Sequence, residues 1–338
     1  MGANKYGLHR VIWPKGALPQ SAARLDISLP IFQNEVLMEV QEINIDSTSF
    51  RQMAEAASQD PEKIKKAIFK IVEERGKLHN PVTNSGGMLL GKVKEIGQHY
   101  RGALQAKVGE AVATLVSLTL TPLYLESIES IDFRTGQLKA LGYAILFESG
   151  IAHLLPADLP EKIALAVLDI CGAPALVLRH AQKNDRVLFV GAGKSAKLSA
   201  AALKRNFGDT LLIHALDVSE KSLSEMKSMS LADEVFVGDA TQAEVIDELP
   251  LQMYDLVVNV ANVPGTEMAS VLAVKEGGKV LFFSMATEFG KVALGAEGIG
   301  KDASFFMGSG YVKGHADLAL RLVRENKKLR KWFEEKYL

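Results

Sequence analysis

Residues 187–198 read Val-Leu-Phe-Val-Gly-Ala-Gly-Lys-Ser-Ala-Lys-Leu, and they constrain the fold more than any other stretch. Four apolar residues, Val187 to Val190, mark a short buried strand, and the spacing G-x-G-x-x-A follows at once in Gly191, Gly193 and Ala196. A helical run stands behind it in Ala200, Ala201, Ala202 and Leu203. In a dinucleotide-binding unit each position has a mechanical task. Gly191 permits the tight turn out of the strand, Gly193 lets the backbone approach a pyrophosphate, and Ala196 lets the helix pack closely. The pyrophosphate then sits on the first helical turn, at Lys194 and Ser195, where free N–H groups and the positive end of the helix dipole favour an anion.

An ordinary strand–turn–helix would share these glycines, so the surroundings matter. A second apolar strand at 211–213 leads to Asp217, and 217 − 191 = 26 residues, close to where an acid meets the adenosine ribose hydroxyls. Such an acid favours NAD, while His214 and Lys221 lie near enough in sequence to leave NADP possible. Gly193-Lys194-Ser195 also invites a nucleoside-triphosphate reading. That reading fails, because a phosphate loop needs glycine five residues before Gly193 and position 188 is leucine.

The chain has 338 residues, enough for two domains. A net charge of −1 argues against nucleic-acid and membrane-surface partners, since neither field attracts it. Cys171 is the only cysteine, which excludes an intramolecular disulfide and suits a reducing compartment. The first residues carry Lys5, His9 and Arg10 and lack the apolar core of a signal peptide. A cytoplasmic protein is expected. The apolar run 163–178 contains Asp169 and Pro174 and reads as one buried helix, not a membrane span.

Residues 1–155 read as β-rich, with strand candidates at 35–45, 93–96 and 110–120. In the first, Val36, Met38 and Val40 alternate before the pattern blurs near Glu42. One strong helix interrupts them. Asp60 caps it, Pro61 starts it, Ile64, Ile68, Ile71 and Val72 form its apolar stripe, and Gly76 ends it. From 156 to 338 strands and helices alternate, with strands expected at 187–190, 211–213, 234–237, 256–260 and 280–284. That spacing is the pattern of a doubly wound parallel sheet with helical crossovers. The run 317–333 is amphipathic, with Leu318, Leu320, Leu322 and Val323 as its apolar residues.

A β-rich first part followed by a dinucleotide fold resembles the medium-chain dehydrogenase/reductase superfamily, which implies a GroES-like catalytic domain, a Rossmann domain and a cleft between them. Gly86-Gly87-Met88-Leu89-Leu90-Gly91-Lys92-Val93 stands where that superfamily has Gly-His-Glu-x-x-Gly-x-Val, and Val108-Gly109-Glu110-Ala111-Val112 resembles its Val-Gly-Asp-x-Val turn. The departures concern metal. Where zinc-dependent members have a first ligand cysteine this chain has Asp46, where they have the ligand histidine and its neighbouring glutamate it has Gly87 and Met88, and Cys171 alone falls near the third position. One thiolate cannot hold a zinc ion that needs three protein ligands, so no metal is expected.

A narrower likeness is carried by Asn80-Pro81-Val82-Thr83-Asn84-Ser85-Gly86-Gly87-Met88-Leu89, Ile145-Leu146-Phe147-Glu148-Ser149-Gly150-Ile151 and Asn262-Val263-Pro264-Gly265-Thr266-Glu267-Met268. These phrases resemble the L-erythro-3,5-diaminohexanoate dehydrogenase family. The resemblance implies oxidative deamination at carbon 3 of a diamino acid, in anaerobic lysine fermentation, with a nicotinamide cofactor. It also implies a homodimer or homotetramer. A zinc-free quinone or enoyl reductase and a non-catalytic dinucleotide sensor are the rival readings.

Deamination needs a base to take a proton from the substrate ammonium and to help water add to the imine. Candidates for that work are Asp46 and Thr48 at the end of the first long strand, His79, and Glu148 in an otherwise apolar stretch. Thr48 stands where alcohol dehydrogenases keep a proton-relay hydroxyl. For binding the diamino acid, Asn80, Asn84, Ser85 and Gly86 form a polar loop. Each has a plain structural alternative: a capping aspartate, an exposed histidine, a glutamate paired with a surface lysine.

Overall fold

The computed structural model describes residues 3–249, 253–284 and 286–338. The chain divides into two compact units, one running to Asp169 and including Lys336–Leu338, the other spanning Ile170–Glu335.

The first unit contains β1 (Val11–Trp13), β2 (Arg24–Leu25), β3 (Val36–Ile45), α1 (Ser47–Ala56), α2 (Pro61–Arg75), β4 (Gly87–Ile96), β5 (Ala111–Thr114), β6 (Leu123–Asp132), β7 (Gln137–Leu146), β8 (Ala152–Leu154) and α3 (Glu161–Leu168). A six-stranded antiparallel sheet in the order β6-β7-β3-β4-β5-β8 forms its centre. The blur near Glu42 has a physical cause. The register of β3 against both neighbours shifts between Val40 and Glu42, as a bulge requires. Val36, Met38 and Val40 point into the core before it, and Ile43 and Ile45 after it. The side-chain phase slips by one residue, so Glu42, Asn44 and Asp46 fall on the other face.

Helix α2 begins and ends as its sequence signals require. Asp60 accepts from the N–H groups of Glu62 and Lys63, and Ile64, Ile68 and Val72 are buried in the same core. Each buried aliphatic side chain contributes about 1.5–3 kcal/mol of transfer free energy. Of the expected strand at 110–120, only Ala111–Thr114 pairs; the rest, through Ser117 and Pro122, is a turn whose Thr119 and Thr121 hydroxyls bond Ser117. Helix α1, the hairpin β6–β7, and the short β1 and β2 have no counterpart in the sequence-based expectations.

The second unit contains α4 (Gly172–His180), β9 (Arg186–Val190), α5 (Lys194–Phe207), β10 (Leu212–Asp217), α6 (Glu220–Ser228), β11 (Glu234–Val237), β12 (Tyr254–Asn259), α7 (Glu267–Ala273), β13 (Val274–Phe282), α8 (Phe289–Gly298), β14 (Ser304–Met307), α9 (His315–Glu325) and α10 (Lys327–Tyr337). All six strands are parallel, in the order β11-β10-β9-β12-β13-β14. This is the doubly wound sheet expected from the strand spacing. The order reverses between β9 and β12, which opens a crevice at their carboxyl ends.

Two continuous runs in the sequence each fold as a pair of helices. The run 163–178 makes α3 and α4 with a break around Asp169–Cys171, because Pro174 would clash with the carbonyl of Ile170 in a continuous helix. Near the C-terminus, Asn326 takes an extended conformation, and its side chain caps α10 by accepting from Leu329 N–H at 3.0 Å. Among the described residues no helix is long and apolar enough to cross a membrane.

Candidate functional site

The crevice of the second unit is built around the turn from β9 to α5. Gly191 sits at φ +99°, with its N–H donating to Leu216 O at 2.8 Å; a Cβ there would strain the backbone and crowd Ala261 N. A Cβ on Gly193 would meet nothing within 4 Å, so the backbone is open on that side. Gly193 is the N-cap of α5 and supplies no side-chain acceptor. The first backbone N–H of α5 with an acceptor one turn back is that of Lys197, which bonds Gly193 O at 3.1 Å. In the turn before it, Lys194 and Ser195 are half-buried, and the first N–H groups of a helix have no acceptor within the helix itself. Ala196 is fully buried against the sheet. An exposed glycine cap with nothing filling the space beside it fits a pyrophosphate.

Asp217 ends β10 beside this turn. Its Oδ2 accepts from Ala192 N–H at 2.6 Å and its Oδ1 from Ser219 N–H at 2.8 Å. The carboxylate therefore also fixes the glycine turn, and each oxygen retains a lone pair for a ribose hydroxyl. His214 is not available to a 2′-phosphate, contrary to expectation. It lies inside β10, 2% exposed, with its ring Nδ1 2.9 Å from Tyr254 Oη, and burial holds its pKa below the usual histidine range. Lys221 is exposed on the first turn of α6. The sequence reading missed Asn259, a fully buried amide at the carboxyl end of β12. Its Nδ2 reaches Thr266 Oγ1 and Ser270 Oγ, both at 2.9 Å, and its Oδ1 accepts from Ala261 N–H at 3.2 Å. A lone amide after Leu256, Val257 and Val258 was the available signal.

A second group of polar residues gathers at the carboxyl end of β3 in the first unit. Asp46 caps α1 through Oδ1, which accepts from Ser49 N–H at 2.9 Å. Its Oδ2 is buried and has no protein partner. Ser49 Oγ meets Thr83 Oγ1 at 2.5 Å, and Gln52 Oε1 accepts from Asn80 Nδ2 at 2.9 Å. These contacts bring the 79–86 loop against α1. The loop continues into β4, where Gly87 pairs with Ile45, so both segments end at one place. Gly87 is obligatory there: its φ is +127°, and a Cβ would lie 2.1 Å from Asn44 O.

His79 is the most perturbed group in this cluster. Both ring nitrogens are buried without a hydrogen bond of ordinary geometry, and the Asn84 side chain interacts with the ring and favours its charged form. Burial, with Lys77 and Arg75 nearby, pulls its pKa down to about 4, so the imidazole is neutral at pH 7. Buried polar atoms without an ordinary partner are unusual in a folded protein, and they make Asp46 and His79 candidates for contact with a polar ligand. Thr48 is half-buried on the first turn of α1.

The other expected residues divide. Asn80 builds the loop: its Oδ1 accepts from Val82 N–H, its N–H donates to Ser85 O, and its C=O accepts from Asn84 N–H. Asn84 is exposed, Ser85 half-buried, and Gly86 is wedged between Leu78 O and Thr119 N. Glu148 does not join the group. It follows the end of β7 that pairs with Val36 at the start of β3, whereas Asp46 follows Ile45 at the other end. Ten strand residues separate them, roughly 30 Å. Glu148 accepts there from Asn34 Nδ2 at 3.1 Å. Ser49, Gln52 and Thr83 were not anticipated; only the structure shows that α1 exists to carry the first two.

Met88 and Cys171 are buried, 4% and 3% exposed. Among the described residues no three His, Cys, Asp or Glu side chains assemble in a metal-holding group.

Residues 9–156 match the family model described as the L-erythro-3,5-diaminohexanoate dehydrogenase N-terminal domain. Over 340 aligned residues, covering 99% of both chains, the sequence is 46% identical to a protein of Acetoanaerobium sticklandii named L-erythro-3,5-diaminohexanoate dehydrogenase. It is 45% identical, over 99% of both chains, to the protein of the same name from Fusobacterium nucleatum subsp. nucleatum. Among solved structures, the D-arabinose dehydrogenase from Sulfolobus solfataricus superposes with a TM-score of 0.52 at 15% identity, covering 92% of this chain and 93% of that one. That likeness shows a shared fold across both units.

Proposed function

The chain belongs to the L-erythro-3,5-diaminohexanoate dehydrogenase family, and from that premise we propose that it oxidatively deaminates L-erythro-3,5-diaminohexanoate in anaerobic lysine fermentation. The products are (S)-5-amino-3-oxohexanoate, ammonia and NADH. The observation that carries this reading is 46% identity to a dehydrogenase of that name over 99% of both chains.

A nicotinamide dinucleotide, when bound at the turn after β9, supplies the hydride acceptor. The chain's own residues do the rest. Gly193 and the first turn of α5 hold the pyrophosphate, and Asp217 accepts from the ribose hydroxyls, which favours NAD over NADP. Loss of His214 as a phosphate partner supports that preference, since among the two basic residues considered only Lys221 is exposed.

Asp46 and His79 supply the acceptor atoms for the substrate's ammonium. Proton removal from nitrogen frees its lone pair, and hydride can then leave carbon 3 to give an imine. The same acceptors orient water for addition, after which ammonia departs and the ketone forms. Nitrogen stabilises the developing cation, so no metal is needed. The residues at the superfamily's ligand positions, Asp46, Gly87 and Met88 with a single cysteine, support a metal-free reaction. A neutral imidazole at His79 suits this work, because it accepts a hydrogen bond without repelling an ammonium group.

The protein acts on a small molecule in the cytoplasm, with no nucleic-acid or membrane partner, and assembles as a homodimer or homotetramer; light scattering on the purified chain checks the last point. A substrate panel tests the function. Turnover of the diamino acid with NAD is expected, with none of a conjugated enone or quinone. Reduction of the enone with NADH in place of diamino acid oxidation identifies a reductase, and dinucleotide binding without any turnover identifies a sensor.

A further inference from the structure

Lys197 is a charged residue in the core of the second unit. It lies one turn into α5, and it is 1% exposed. Its side chain curls back toward the helix start, where Nζ donates to Ala192 O at 2.5 Å. The same ammonium pairs with Glu225 Oε2 of α6 at 3.1 Å. Glu225 Oε2 in turn accepts from Trp332 Nε1 of α10 at 2.8 Å, and Lys197 Nζ lies 4.9 Å from the centroid of the Trp332 ring. Burying a lysine is costly unless it is paired and hydrogen-bonded, and this one is both.

What the ammonium holds decides its role. Ala192 stands between the two glycines of the turn, and its C=O belongs to the same peptide unit as the Gly193 N–H. A trans peptide is planar, with C=O and N–H pointing in opposite directions. Pulling Ala192 O inward toward Lys197 therefore turns the Gly193 N–H outward, to the side where a Cβ would meet nothing within 4 Å. On the preceding peptide, Asp217 Oδ2 holds Ala192 N–H at 2.6 Å. The two peptide planes on either side of Ala192 are thus fixed by two charged side chains of opposite sign. A cation on the carbonyl also polarises the peptide and strengthens its N–H as a donor.

We infer that Lys197 is a positioning residue for the dinucleotide: held by Glu225 and Trp332, it aims the Gly193 N–H at the cofactor's pyrophosphate. The inference rests on the dinucleotide reading of this turn. Its consequence is that the C-terminal helix α10 tunes cofactor affinity through a chain of three side chains, Trp332, Glu225 and Lys197.

The test measures NADH binding by calorimetry and NAD kinetics in Lys197→Met, Glu225→Gln and Trp332→Phe, with melting temperature followed in parallel. Lys197→Met is expected to weaken NADH binding and raise the KM for NAD tenfold or more. The kcat at saturating NAD and the KM for the diamino acid should stay within about twofold. Glu225→Gln and Trp332→Phe, which loosen the lysine from outside, should raise the KM for NAD in the same direction by about threefold. A merely structural role would lower the melting temperature and the active fraction and leave the KM for NAD where it was. Should Lys197→Met fail to fold, the two outer variants decide. Unchanged NADH affinity in folded Lys197→Met, or in both outer variants, overturns the inference. Because NADH binding is read without substrate, a wild-type protein that binds no dinucleotide overturns the underlying reading instead.

Discussion

Asp46 does two things at once, and its two oxygens separate them. Oδ1 caps α1 and Oδ2 is left buried and unbonded. Asparagine is as good a helix cap as aspartate but is not a base, whereas alanine is neither. Asp46→Asn is therefore expected to keep the melting temperature within about 1–2 °C while kcat/KM for the diamino acid falls by about 10²–10⁴. Asp46→Ala should lose similar activity and, in addition, about 1 kcal/mol of stability. Equal activity in Asp46→Asn and wild type would remove Asp46 from the chemistry. Glu42, four residues earlier on the same face, is a different case. It is 8% exposed, its Oε2 has no partner, and burial and Glu161 raise its pKa, against the opposing pull of Lys162 and Lys139. A carboxyl whose pKa is raised in the folded state binds its proton more tightly there than in the unfolded chain. Its contribution is fully present below the unfolded value and is lost as pH rises through the folded one. Glu42→Gln should thus raise the melting temperature at pH 7, by about 1 kcal/mol of stability, and much less at pH 4. Thermal scans at the two pH values check the sign.

Among the elements, the turn from β9 into α5 and the capped helix α2 were legible because their signals are local: glycines at fixed offsets, a cap, a proline, a stripe of every third or fourth residue. Helix α1 was not. Its first turn is Ser47-Thr48-Ser49, residues that compete with helix through their own hydroxyls, and what holds it is the Asp46 cap and the burial of Phe50, Met53 and Ala54. The two helix breaks were hidden for a related reason, since an apolar run keeps its character across Asp169–Cys171 while the backbone must yield to Pro174. The candidate site was legible in part. The loop 79–86 and Asp46 meet at one end of β3, and Glu148 lies at the other end of that strand. Strand pairing, which no local pattern states, sets them apart. Asp217 joins β10 to the glycine turn. Asp217→Ala is expected to raise the KM for NAD at least tenfold and to bring the NAD-to-NADP preference toward unity, as read by steady-state kinetics with both cofactors. A variant with unchanged preference would show that another group reads the ribose.

The chain as a whole belongs to a dehydrogenase family, and the deamination proposed for it needs no metal ion. Activity should then rise from pH 7 toward alkaline conditions, because an aliphatic ammonium has a pKa of about 10 and only its neutral form releases hydride. Preincubation with a strong chelator should leave the initial rate unchanged across that range, and inhibition reversed by added zinc would contradict it. The central claim is oxidative deamination itself. It is tested most directly by incubating the protein with L-erythro-3,5-diaminohexanoate and NAD at alkaline pH and measuring NADH and ammonia together. Equimolar appearance of the two is expected; NADH without ammonia, or neither product from a protein that binds NADH, would contradict it.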